Sequence, residues 1–211
     1  MTTAATMRSA ATTTTAGAFV IASAAVALWR HLNPGLHEIL RTAGPLALVI
    51  GIAILVVGLR HRRGLLQHSA AASVGLLVFS ARDVISVVLT VAPTDVVGNA
   101  RTVSLVLLAS SLLGVIGGIV AVVVIIRRDL LGRWSAFSLL AVVVVRAVFV
   151  VTSVIPFGGY RLLLIVSEAT VAAPSALLIF GGTLLLHGRG RQIRTGAGRV
   201  LAAWRSSTDV V

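Results

Sequence analysis

Residues 102–126 read TVSLVLLASSLLGVIGGIVAVVVII, a run of twenty-five positions without one charged side chain. At 1.5 Å per residue a helix of that length reaches about 37 Å, more than the roughly 30 Å of hydrocarbon in a bilayer. A water-soluble core helix of this length would alternate polar and apolar faces, and this one does not, so it reads as a membrane span. The charged Arg127-Arg128-Asp129 closes it on one side and Arg101 on the other.

The composition outward from that run agrees. Hydrophobic residues make up 57% of the chain and charged residues 11%, with a mean hydropathy of +1.04, which excludes an ordinary soluble domain. Further apolar runs place helices at about 11–29, 43–59, 65–92, 134–155 and 161–186, so the expectation is an all-α bundle of about six transmembrane helices. The whole of 1–188 forms one membrane domain, and 189–211 forms a basic tail. The 211 residues leave no room for a soluble catalytic domain.

Polar breaks separate the runs: Asn33-Pro34-Gly35, Arg60-His61-Arg62-Arg63-Gly64, Pro93 to Arg101, Arg127 to Arg133, and Pro156-Phe157-Gly158-Gly159. Arginines in the breaks set the orientation, because cytoplasmic loops carry the positive excess. One side holds Arg8, Arg60, Arg62, Arg63, Arg127, Arg128, Arg133 and five in the tail; the other holds only Arg30, Arg41, Arg101 and Arg161. Both termini are therefore expected in the cytoplasm, of a protein integral to the plasma or bacterial inner membrane. Met1 to Trp29 also has the outline of a secretory signal, but an uncleaved anchor agrees with the charge count at both ends. Three hairpins recur at roughly 65 residues; any even-numbered bundle with short loops has such a period, and no internal repeat is read from it.

The formal charge of +12 comes from arginines that punctuate apolar segments and do not form a stripe with interleaved aromatics, which argues against nucleic acid. Anionic lipid headgroups suit the basic loops and the Arg-rich tail from His187 to Trp204. With no cysteine, thiolate chemistry and Cys-ligated metals are excluded. His31, His37, His61, His68 and His187 all fall at the ends of spans, so no buried haem is expected, and no companion carboxylate marks a metal site among them. No cofactor is expected. No H-E-x-x-H, G-x-S-x-G or Walker-type motif occurs, so the reading leans against an enzyme. A lipid-modifying use of Asp83 or Glu168 as a base is the one catalytic alternative.

Four charges interrupt the spans: Arg82, Asp83, Arg146 and Glu168. Each costs roughly 2.5–3.5 kcal/mol to insert at a helix centre on translocation scales, so each needs a partner, water or substrate. By helical rise they lie within about 10 Å of one another in depth, on the third, fifth and sixth spans. Arg82 and Asp83 point about 100° apart and so look toward different neighbours. The natural pairs are Arg82 with Glu168 and Asp83 with Arg146, or one network with hydroxyls from Ser86, Thr90, Thr152, Ser153, Ser167 and Thr170. Pro174 in the sixth span marks a possible hinge.

Small residues supply packing surfaces. Gly44, Gly51 and Gly58 recur in the second span, and Ser110, Gly114, Gly117 and Gly118 in the fourth, with Gly181 and Gly182 in the sixth. They allow close helix approach within the chain or in a homo-oligomer. The functional expectation is a small transporter or permease-like protein built around the charged cluster. The alternative is a non-catalytic accessory subunit whose buried pairs hold the bundle or a partner together.

Overall fold

A computed structural model describes residues 2–33, 38–59, 64–92, 100–154 and 171–187. These residues are all-helical: α1 (Thr2–Leu32), α2 (Glu38–Val57), α3 (Ala70–Val91), α4 (Ala100–Arg128), α5 (Arg133–Val154) and α6 (Val171–His187), with one 3₁₀ turn at Leu65–Gln67. Four helical segments, Ala11–Arg30, Ala70–Val91, Thr102–Arg128 and Arg133–Thr152, are long and apolar enough to cross a membrane. Thr42–Val57 and Val171–His187 are apolar but shorter. The tail 189–211 lies outside the described residues.

The third helix begins later than its apolar run suggests. Leu65–Gln67 is wound as a 3₁₀ turn, and Ser69 then caps α3, its hydroxyl accepting a hydrogen bond from the Ala72 N–H at 3.3 Å. The cap satisfies one of the first-turn donors that the helix itself leaves open, which is why the helix starts at Ala70 and not at residue 65. Arg128 ties down the same turn from the end of α4, donating to the His68 carbonyl at 3.1 Å.

Consecutive helices pack side by side and alternate in direction. Gly51 lies against Ala16 and Val20, and Gly44 against Ser23 and Val26, so α1 and α2 run antiparallel. In the same way Gly75 meets Gly117 and Ala121 while Gly114 meets Phe79 across α3 and α4. A Cβ on Gly75 would sit 2.6 Å from the Gly117 carbonyl oxygen, so no larger residue lets these two backbones approach so closely. The ring of helices closes where α6 returns to α1: Gly17 and Gly181 abut, and a Cβ on Gly17 would lie 2.7 Å from the Gly181 oxygen. Between α5 and α6 the hydroxyls of Ser138 and Thr183 share a 2.8 Å hydrogen bond.

These contacts occupy the glycine faces of α2 and α4 within the chain, whereas among the described residues a Cβ on Gly182 would meet nothing within 4 Å. Gly58, expected to continue the α2 stripe, instead takes a positive φ of 89° and ends the helix. The interior holds Val20, Leu48, Ile52, Leu76, Phe79, Ile125, Leu139 and Phe180. Every buried polar side chain among the described residues is a Ser or Thr, Thr12 and Thr13 of α1 included. Bulky aliphatics such as Leu105, Leu113, Ile116, Ile119 and Ile179 stand on the outside. An outer surface this rich in bulky aliphatics is the reverse of a water-soluble bundle.

Candidate functional site

The middle of α3 carries Phe79-Ser80-Ala81-Arg82-Asp83, and α5 carries Arg146-Ala147-Val148-Phe149. Residues three and four apart share a helix face, so Phe79, Arg82 and Asp83 can address one neighbour, as can Arg146 and Phe149. That neighbour is the other helix of the pair. No Cα of α3 lies within 8 Å of a Cα of α5, yet long side chains bridge the gap. Gly118 of α4 makes this possible: a Cβ there would press on the Phe79 ring at 2.9 Å and on Val143 at 2.7 Å.

Arg146 is the centre of the bridge. Its Nη2 donates to Asp83 Oδ2 at 2.5 Å, and its Nη1 donates to the Phe79 carbonyl at 2.7 Å. Its guanidinium also lies over the Phe79 ring, 4.5 Å from the centroid. The reciprocal contact runs the other way: Arg82 of α3 lies over the Phe149 ring of α5, 5.1 Å from its centroid. Two cation–π contacts in parallel register therefore flank one ion pair. The pair keeps a margin of access, with side chains 13% and 15% exposed.

Both charges stand about 20 Å along their helices from the Ala70 and Arg133 ends. Arg82 and Asp83 diverge as adjacent helical residues must, and among the described residues both reach α5, Arg82 at Phe149 and Asp83 at Arg146. The length of the Arg side chain accounts for this, since it can swing back over Phe149. Glu168 lies outside the described residues, as do the side chains of Ser153, Ser167 and Thr170. Thr90 and Thr152 turn back on their own helices, bonding the carbonyls of Ser86 and Val148, and so do not serve the ion pair. Pro174 lies in the described part of α6.

Phe79 and Phe149 are the participants that charge counting overlooks. Their signal is present in the sequence as F-x-x-R on α3 and R-x-x-F on α5, which places an aromatic ring one turn from each mid-helix Arg. At the other end of the bundle His187 packs against Gly132 and His68 lends its carbonyl to Arg128. His61 lies outside the described residues, and among those described no three metal-ligating side chains converge.

The chain matches no protein-family profile, no curated protein and no solved structure with significance.

Proposed function

We propose that this is a six-span protein of the plasma or bacterial inner membrane, both termini cytoplasmic, that moves an ion or small polar solute past the level of Asp83 and Arg146. Membrane insertion is supported by the aliphatic outer surface and by two exposed tryptophans at opposite ends of the bundle. Trp29, 58% exposed, ends α1 beside Arg30, and Trp134, 82% exposed, opens α5 beside Arg133. Indole rings next to arginines at the two ends of an apolar surface suit the two headgroup layers.

The observation that carries the transport reading is the ion pair itself: an Arg and an Asp halfway along apolar helices, bonded to each other and still partly accessible. Intramembrane charges with residual access line proton, ion and anion pathways. A second reading has its own support. Arg146 ties α3 to α5 where their backbones do not touch, the work of a structural brace in an accessory subunit.

Flux through liposomes containing the purified protein tests the two. Asp83→Asn and Arg146→Gln abolish flux at retained folding if the pair lies on the pathway. Flux that survives both substitutions removes the pair from the pathway, and collapse of the fold in both without wild-type flux favours the brace.

A further inference from the structure

The three described charges are not equivalent. Arg146 has its donors committed to Asp83 and to the Phe79 carbonyl, and Asp83 has its Oδ2 committed to Arg146. These two cancel. Arg82 rests on the Phe149 ring, and no carboxylate among the described residues lies within salt-bridge distance of it. A phenyl face attracts a cation diffusely, whereas the five N–H groups of a guanidinium seek directed acceptors at its edges. The described cluster thus carries one net positive charge and one open donor fork, in surroundings where an unmatched charge is expensive.

From this we infer that Arg82 binds a small monovalent oxyanion, a monocarboxylate above all, as the solute of the proposed pathway. The charge count of the described residues selects valence: one negative charge neutralises Arg82, Asp83 and Arg146 together, and a dianion overshoots them. The planar fork selects shape, because two parallel N–H bonds match the two oxygens of a carboxylate and give a halide no such advantage. The Asp83–Arg146 pair is then the fixed element that holds the local charge at one, and Phe149 the platform that orients the fork. The inference rests on the transport reading for movement of the anion, but not for its binding.

The test is thermal unfolding of the purified full chain in detergent, titrated with sodium acetate, sodium chloride or disodium succinate at matched ionic strength. Uptake of labelled acetate into proteoliposomes is measured in parallel against protein-free vesicles. Acetate is expected to raise the unfolding midpoint saturably, with chloride and succinate much weaker. Arg82→Gln should raise the apparent Kd for acetate about tenfold or more, the loss of a charge-assisted fork, and Arg82→Lys should recover only part of it. If Arg82→Gln does not fold, the wild-type anion ranking and Arg82→Lys decide. A wild-type protein indifferent to acetate, or equally responsive to chloride, overturns the inference. So does acetate binding that emerges only in Glu168→Gln, which would assign the fork to the chain's own carboxylate. Acetate binding without uptake keeps the anion site and removes the transport reading. Proton or cation flux insensitive to acetate and to Arg82→Gln does the opposite.

Discussion

Arg146 grips Phe79 twice, donating to its backbone carbonyl at 2.7 Å while its guanidinium lies 4.5 Å over the ring of the same residue. A half-buried arginine held by ring, carbonyl and carboxylate has little freedom to turn toward anything else. The ion pair is a fixed post, and Arg82, with only a ring as partner among the described residues, is the adaptable member of the cluster.

Removing one partner of that post should be costly. Arg146→Gln strands Asp83 and frees the Phe79 carbonyl, and is expected to destabilise by about 3 kcal/mol or more, with Asp83→Asn milder because Arg146 keeps two of its three contacts. The double variant Arg146→Met/Asp83→Leu should recover much of the loss. Thermal unfolding in detergent measures all three; strict additivity of the single losses would show that the pair does not couple.

The reciprocal rings should matter less and in an ordered way. Phe149→Leu keeps bulk but removes the platform of Arg82, and an effect of about 0.5–2 kcal/mol is expected. Phe79→Leu should cost more, since that ring is also buried in the core. Equal losses from the two, read by the same unfolding assay, would argue that the rings act only as filling.

Glycine contacts give a sharper contrast. Gly75→Ala drives a methyl into the Gly117 carbonyl and should cost about 1–3 kcal/mol by forcing α3 and α4 apart. Gly182→Ala meets nothing within 4 Å and should leave stability unchanged or slightly raised. A harmless Gly75→Ala would contradict the close approach of the two backbones.

The absence of cysteine provides a clean background for topology. Single cysteines at Arg128 and at Ser104 are expected to react with an impermeant thiol reagent from opposite faces of sealed vesicles, Arg128→Cys from the cytoplasmic side. Labelling of both from the same face would refute the six-span arrangement.

Much of this was legible in the sequence for a simple physical reason: a long uncharged run has few alternatives to a helix, and polar breaks have few alternatives to loops. Residues 102–126 and 134–155 therefore foretold α4 and α5 closely. The pairing of Asp83 with Arg146 is one of the arrangements that charge and depth allowed, beside a single network of all four charges. What escaped depends on tertiary choice. Ser69 stops α3 from extending back to residue 65, a local cap overriding hydropathy. Phe79 and Phe149 look like two more apolar residues until the parallel register of α3 and α5 is known. Gly51 and Gly118 declare a close neighbour without naming it, and both prove to face helices of the same chain.

The seam between Gly17 and Gly181 has a consequence for biogenesis. α1 meets the partner that closes the ring only once α6 has been made, after the four helices between them. Until then the flank of α1 that carries Gly17 and Ile21 stands uncovered by α6. The order of translation thus leaves the ring open on one side until α6 arrives, and a ribosome that stalls before α6 would release it unclosed.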